Sequence, residues 1–119
     1  MATVLIIDDE DALRDVVDKR LKLEGHQVIS YSDAGPALSA VDFDTIDLII
    51  LDLVMPTPGD QAIETIRNRG IEKPIIVLSG NLRPGDEERL TTIGASTVLA
   101  KPFRLMGLLT TIEDLLSAA

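Results

Sequence analysis

Five short apolar runs, each followed by a segment whose apolar residues have helical spacing, recur along this chain. They cover residues 4–7, 27–31, 48–51, 75–78 and 98–100. Short apolar runs of this kind are typical of parallel strands buried on both faces. Alternating strands and helices form a doubly wound sheet, because right-handed crossovers lay helices on both of its faces. The sequence therefore predicts an α/β domain with five parallel strands and five helices in three layers.

Polar side chains follow four of the five runs. Asp8 and Asp9 follow the first run, Asp52 the third, Ser79 the fourth and Lys101 the fifth. The second run ends in nothing comparable, so the strand order 2-1-3-4-5 would place the four marked strands side by side. Because the carboxyl ends of parallel strands meet at one edge of the sheet, where ligands bind, we expect these side chains to form one site.

The helices follow from apolar spacing and from capping residues. Ser32 or Asp33 is expected to cap the second helix, and Asp60 is expected to cap the third. The first helix is expected to bury an apolar face formed by Leu13, Val16, Val17 and Leu21.

Composition argues against several classes of protein. The net charge of −9 argues against direct binding to nucleic acid. The absence of cysteine excludes disulfides, thiol nucleophiles and sulfur-ligated zinc. The only histidine, His26, follows a helix end and is expected to be an ordinary surface residue. No apolar run approaches the roughly 18 residues of a membrane span and no signal peptide precedes the first strand, so we expect a cytoplasmic protein without membrane contact.

The charges expected at the strand ends favour a divalent cation. Carboxylates as close as Asp8, Asp9 and Asp52 raise one another's pKa unless a cation intervenes, and Lys101 supplies only one positive charge. Oxygen ligands without His or Cys favour Mg²⁺, or Mn²⁺, over zinc. A bound Mg²⁺ and a lysine could spread the transition-state charge of a phosphoryl group, and a neighbouring carboxylate could be the nucleophile.

Each of these residues also has a simpler interpretation. The acidic segment 8–11 could be a helix start favoured by the macrodipole, and Asp52 could be a turn former. Ser79 could make a local turn bond, and Lys101 could be a solvated strand end. Their coincidence at four strand ends favours a shared site.

Four motifs in the chain resemble the receiver domain of bacterial two-component response regulators. They are IIDDE at residues 6–10, LDLVMP at 51–56, VLSG at 77–80 and AKPF at 100–103. The resemblance covers the full length and implies a flavodoxin-like fold and a single receiver domain over residues 1–119. It implies a signalling phosphoacceptor rather than an enzyme, with a sensor histidine kinase or a histidine phosphotransfer protein as phosphoryl donor. The downstream protein target and the pathway are not identified by the sequence.

The resemblance assigns a role to each clustered residue. It implies that Asp52 is the phosphoacceptor and that Asp9, Asp52 and the backbone carbonyl of Val54 coordinate Mg²⁺. Asp8 would hold a metal-bound water.

The same resemblance assigns the phosphoryl contacts. Ser79 and Lys101 would bind phosphoryl oxygens, and the bond between Lys101 and Pro102 would be cis. In the family, the residues two positions after the phosphoacceptor and two after the Ser or Thr flank the approach of the hydrolytic water. Here they are Val54 and Asn81.

The chain departs from the family pattern at two positions. Val98 stands three residues before the lysine, where the family usually has a Tyr or Phe that moves on activation. Gly59 comes seven residues after Asp52 rather than the usual eight, so the following loop and helix start are expected to be reshaped.

Three alternatives remain at this stage. A haloacid-dehalogenase-type phosphatase needs a second carboxylate where this chain has Val54. A flavin- or nucleotide-binding domain needs a phosphate loop where this chain has the acidic residues 8–11. The third is an interaction module with the receiver fold that no longer signals by phosphorylation, an interpretation that Val98 favours. Met1 immediately before the first strand favours a natural start, whereas the C-terminus leaves a single-domain regulator and a piece of a longer protein open.

Overall fold

Strands and helices alternate in the order that the apolar runs predict. The computed structural model describes residues 1–118. Its strands are β1 (Thr3–Ile7), β2 (Gln27–Tyr31), β3 (Leu48–Asp52), β4 (Ile75–Ser79) and β5 (Thr97–Ala100). Its α-helices are α1 (Asp11–Leu23), α2 (Ala34–Ala40), α3 (Gly59–Asn68), α4 (Asp86–Ile93) and α5 (Leu105–Ser117). A short 3₁₀ helix, Phe43–Thr45, precedes β3.

All five strands are parallel and lie in the order β2-β1-β3-β4-β5, which confirms the predicted topology. Val4 pairs with Leu48 and Ile76 pairs with Thr97. The four strands with polar residues at their carboxyl ends are therefore neighbours. Within residues 1–118, no helix is both long and apolar enough to span a bilayer.

The sheet separates two apolar cores because successive strand side chains point to opposite faces. One core contains Leu5 and Ile7, and the other contains Val4 and Ile6. The first core is covered mainly by α2, α3 and α4, through Ala37, Ala62, Ile63, Ile66 and Leu90. The second core is covered by α1 and α5, through Val17, Leu21, Leu108, Leu109 and Ile112.

One capping prediction is confirmed and one is wrong. Asp33 caps α2, where its side chain accepts a hydrogen bond from the Gly35 N–H. The N-cap of α3 is Pro58 rather than Asp60. The helix starts early because the Gly59 N–H bonds to the Leu53 carbonyl at 2.9 Å and leaves Asp60 inside the first turn.

The expectation that His26 lies on the surface is wrong. Its side chain is 5% exposed, because the turn from α1 into β2 places it beside the start of β1, where Gln27 pairs with Thr3. Its Nδ1 accepts a hydrogen bond from the Ala2 N–H at 3.1 Å, and its Nε2 lies 3.1 Å from Oε1 of Glu113 on α5. Since Nδ1 is the acceptor, the Nε2–H donates to Glu113, and the ring joins the residue before β1 to the last helix.

Val16 also departs from the expected buried face of α1. It is 53% exposed, whereas Val17 and Leu21 are buried against the sheet. Val16 instead lines an apolar groove with Leu13 on one side and Pro102 and Phe103 on the other. The buried face of α1 is thus narrower than its apolar spacing indicates.

A single guanidinium joins α3 to the end of α4. Arg67 donates to the carbonyl of Gly94 through Nε at 3.0 Å and Nη2 at 2.7 Å. Its Nη1 donates to the carbonyls of Ile71 and Lys73, both at 2.8 Å. Gly94 has φ +129°, and a Cβ there would lie 2.6 Å from the Arg67 Cγ. The contact therefore needs both the arginine and the glycine.

Replacing Arg67 with methionine should destabilise the domain, because the change keeps the aliphatic stem but leaves three carbonyls without their donor. The loss of these charge-assisted bonds, which leaves part-buried carbonyls without their donor, should lower the free energy of unfolding by about 3 kcal/mol. Urea unfolding measures it. Arg69→Met is the matched control, since the Arg69 side chain is exposed and, within residues 1–118, donates to the Leu38 carbonyl alone, so the loss should be about 1 kcal/mol or less. Equal losses in the two variants would contradict this account.

Candidate phosphoryl and metal site

The strand ends bring the predicted side chains to one edge of the sheet. Asp8 directly follows β1, Asp52 is the last residue of β3, and Ser79 is the last residue of β4. Lys101 directly follows β5. The pairing of Ile7 with Leu51, of Asp52 with Leu78 and of Ser79 with Ala100 sets the four strands to end at nearly the same level.

Three carboxylates form a cluster that could hold a metal ion. Asp8, Asp9 and Asp52 each offer one oxygen, and these three atoms lie within 4.8 Å of one another. Asp8 is fully buried and Asp52 is 5% exposed, whereas Asp9 is exposed. The Oδ1 of Asp8 accepts a hydrogen bond from the Glu10 N–H at 2.9 Å, which fixes the orientation of that carboxylate. Oxygen-only donors of this kind suit a hard divalent cation.

Lys101 provides the positive charge of the site. Its Nζ lies 3.0 Å from Asp8 Oδ2, 3.6 Å from Asp52 Oδ1 and 3.5 Å from Glu10 Oε1. Burial alone would lower the pKa of Lys101, but the hydrogen bond and charge of Asp8, with the charges of Asp52 and Glu10, raise the pKa overall. The side chain therefore remains an ammonium at neutral pH.

Asp52 lies where its negative charge is poorly stabilised by the protein alone. Burial and the neighbouring charge of Asp8 raise the pKa of Asp52, with a smaller contribution from Asp9. Lys101 and the Val54 N–H, 3.5 Å from Asp52 Oδ1, lower that pKa without reversing the shift. An added cation at this cluster would favour the ionised, nucleophilic carboxylate.

Ser79 lies at the same edge, where its side chain makes a local hydrogen bond and its backbone contacts the next strand. Its side chain is buried, and its Oγ accepts a hydrogen bond from the Asn81 N–H at 3.3 Å. Its carbonyl accepts from the Lys101 N–H at 2.7 Å, so the ends of β4 and β5 are joined directly beside the site. The bond between Lys101 and Pro102 is cis, as the sequence resemblance predicts.

The loop after Asp52 is short because Gly59 packs against its base. A Cβ at residue 59 would lie 2.6 Å from the Asp52 carbonyl oxygen and 2.7 Å from the Leu53 Cα. The spacing of seven residues between Asp52 and Gly59 therefore sets where α3 begins. The Val54 side chain within this loop is 69% exposed.

Sequence reasoning missed Glu10 as a neighbour of the lysine. The acidic run 8–11 indicates metal ligands and a helix start, and Glu10 is indeed the residue before α1. The structure turns its side chain, which is 59% exposed, towards the Lys101 ammonium. The contact depends on where the end of β5 lies relative to the end of β1. The residues next to Glu10 in the sequence therefore do not predict it.

Val98 occupies the middle of β5 opposite Val77. Its side chain is half-buried and packs against the core on the α2, α3 and α4 face. A β-branched residue has few χ1 rotamers, so this position offers a fixed apolar contact and no swinging ring.

Comparisons with known proteins agree with this geometry. Residues 4–113 match the family model described as response regulator receiver domain. The regulatory protein VanR of Enterococcus faecium is 38% identical over 111 residues, which is 92% of this chain and 48% of that protein. The transcriptional regulatory protein PcoR of Escherichia coli is 31% identical over 100% of this chain and 53% of its own length. The chain thus spans about half the length of these relatives.

Solved structures show the same fold. The chemotaxis protein CheY4 of Vibrio cholerae superposes with a TM-score of 0.83 at 29% identity, covering 97% of this chain and 98% of that one. The non-phosphorylated HemR receiver domain of Leptospira biflexa superposes with a TM-score of 0.91 at 24% identity, covering 98% and 95%. The family match over most of the chain shows that this protein belongs to the response regulator receiver domain family.

Proposed function

We propose that this receiver domain accepts a phosphoryl group on Asp52 in a Mg²⁺-dependent reaction and thereby changes its contacts with a downstream protein. The observation that carries the proposal is the position of the buried Asp52 carboxylate. It lies 3.6 Å from the Lys101 ammonium and belongs to the cluster formed with Asp8 and Asp9. The receiver unit would extend over residues 1–119, which the family match over 4–113 supports.

The donor would be the phosphohistidine of a sensor histidine kinase or of a histidine phosphotransfer protein. A carboxylate oxygen of Asp52 attacks the phosphorus, the new P–O bond forms, and the P–N bond to the imidazole breaks. The nitrogen keeps the bonding electrons and takes up a proton, so the donor histidine returns to its neutral form. The Lys101 ammonium and the Ser79 hydroxyl would stabilise the charge on the transferred oxygens.

The metal would be Mg²⁺, with Mn²⁺ as a substitute. Asp9, Asp52 and the Val54 carbonyl would be direct ligands, and Asp8 would hold a bound water. When bound, the cation neutralises the carboxylates and polarises the phosphoryl oxygens.

A second candidate function is that of an interaction module that no longer signals by phosphorylation. Val98 favours it, because a half-buried valine in β5 has few rotamers and cannot rotate into the site when a phosphoryl group is bound there. Incubation with acetyl phosphate and Mg²⁺, followed by intact mass measurement, separates the two functions. A phosphoryl mass gain supports the phosphoacceptor, and its absence supports the module.

Asp52→Asn should abolish the phosphoryl mass gain, because the amide that replaces the carboxylate is a far weaker nucleophile. Asp44→Asn is the matched control, since Asp44 is exposed on the 3₁₀ helix before β3 and should keep the full gain. A full gain in Asp52→Asn would move the nucleophile to another residue.

Mg²⁺ binding should depend on the two acidic residues after β1 to different degrees. Asp9→Ala should remove the binding heat in titration calorimetry, because it deletes a direct ligand, and Asp8→Ala should weaken binding less. Asp11→Ala is the control for the overall loss of charge, since Asp11 is exposed and pairs with Arg14. Undiminished affinity in both Asp9→Ala and Asp8→Ala would contradict this ligand assignment.

The phosphoryl group on Asp52 should be lost slowly. Hydrolysis needs a water in line with the phosphorus, and Val54 cannot orient a water, while Asn81 offers an amide but no general base. Both side chains are exposed, so they can be replaced without disturbing a core.

Val54→Asn combined with Asn81→Glu should accelerate loss of the phosphoryl group by about tenfold, because the new side chains can hold and activate the water. The decay of phosphorylated protein is followed by intact mass after removal of the donor, with Val54→Ala as an apolar control. If the double variant keeps its phosphoryl group as long as the parent, water placement by these residues does not limit the rate.

A further inference from the structure

One carboxylate joins the start of α2 to the loop that follows Asp52. The Oδ1 of Asp33 accepts a hydrogen bond from the Thr57 N–H at 2.8 Å, and its Oδ2 accepts from the Thr57 hydroxyl at 2.8 Å. The same Oδ2 accepts from the Gly35 N–H at 3.2 Å. Asp33 therefore does more than cap α2. Both of its oxygens are bonded to a residue that lies 24 positions further along the chain.

Thr57 is the residue of the loop best suited to this contact. It lies between Pro56 and Pro58, neither of which has a backbone N–H to donate. At the base of the loop, the Gly59 N–H bonds to the Leu53 carbonyl. The segment 53–59 is thus closed at its base by Gly59 and held near its tip by Asp33.

The surroundings of Asp33 leave room for this contact and favour its charged form. A Cβ at residue 35 would lie 3.2 Å from both Asp33 Oδ2 and Thr57 Oγ1, so glycine at this position keeps the contact uncrowded. Burial would raise the pKa of Asp33, but the hydrogen bonds from Thr57, Gly35 and Ala34 lower it overall. The carboxylate is therefore ionised at neutral pH, and its bonds to Thr57 are charge-assisted.

We propose that Asp33 is a positioning residue for the metal site, because its two bonds to Thr57 hold the loop that carries the Val54 carbonyl. This inference rests on the proposed role of that carbonyl as a Mg²⁺ ligand. Val54 lies two residues after Asp52 and three before Thr57, in a segment anchored on both sides. Groups that orient a metal ligand without touching the metal commonly change its affinity by about 10- to 100-fold.

The main alternative is that Asp33 matters only as the helix cap of α2. Two variants separate the roles. Asp33→Ala removes the cap and the bonds to Thr57 together. Thr57→Val removes one of the two bonds to Asp33 and leaves the cap intact, with a side chain of nearly the same shape. Thr57→Ser keeps the hydroxyl and serves as the conservative replacement.

The experiment measures the Mg²⁺ dissociation constant by titration calorimetry, and hydrogen exchange at the Thr57 amide. Asp33→Ala should weaken Mg²⁺ binding by about tenfold and increase exchange at Thr57. Thr57→Val should weaken binding by a smaller factor, and Thr57→Ser should bind like the parent.

Asp42→Ala is the matched control. Asp42 caps the 3₁₀ helix before β3 by accepting from the Asp44 N–H at 3.1 Å, so the variant loses one capping carboxylate and the same charge. It should unfold at a lower urea concentration but bind Mg²⁺ like the parent.

Each result decides between distinct conclusions. Parent-like Mg²⁺ affinity in both Asp33→Ala and Thr57→Val would overturn the positioning role while leaving the proposed metal site intact. A parent that binds no Mg²⁺ would instead overturn the metal assignment and this inference with it. If Asp33→Ala does not fold, the Mg²⁺ affinities of Thr57→Val and Thr57→Ser test the positioning role by themselves, because both variants keep the α2 cap.

Discussion

The contact of the Lys101 ammonium with Asp8 and Asp52 is the interaction on which the site depends. Two carboxylates buried to this extent at one sheet edge would repel each other and favour protonation. The Lys101 ammonium lies 3.0 Å from Asp8 and 3.6 Å from Asp52, so it offsets part of that repulsion. Within residues 1–118, no other cationic side chain forms an ion pair with either carboxylate. One ammonium does not balance both carboxylates together with Asp9, and the pKa of Asp52 remains raised. The remaining negative charge is what favours a bound divalent cation.

The parallel sheet explains how residues so far apart in sequence can form this site. Asp8 and Lys101 are 93 positions apart, yet each directly follows a strand of the same sheet. The strands themselves are held by apolar side chains on two faces, with residues such as Ile50 and Leu51 fully buried on opposite sides. Burial of those faces fixes the register, because a slip of one residue would turn every apolar side chain to the other face. The geometry of the charges is therefore set by the packing of uncharged residues.

The sequence predicts the strands, their order and the proximity of Asp8, Asp52 and Lys101, because apolar runs and the residues that end them can be recognised locally. Ser79 ends the neighbouring strand β4. The sequence does not predict the contacts that depend on how distant loops meet. His26 is buried since Ala2 and Glu113 converge on it, and Asp33 reaches Thr57 across the sheet edge. A capping position can be read from a few residues, but the second partner of the capping carboxylate cannot.

Val98 limits how this domain can respond to a new charge at Asp52. Its side chain has few rotamers and is packed against the α2, α3 and α4 core, so β5 offers no mobile ring beside the site. The end of α4 is also held firmly, because Arg67 donates twice to the Gly94 carbonyl just before β5. The groups with freedom to adjust are therefore the ones that face the charge directly. They are the exposed Glu10 side chain and the Lys101 side chain, whose present partners compete with any incoming anion. Of the three contacts that Lys101 makes with carboxylates here, the one to Asp8 is a hydrogen bond and the other two are longer ion pairs. The ammonium therefore has N–H donors with which it could bind a new oxygen, while Asp8 and Glu10 compete for its charge.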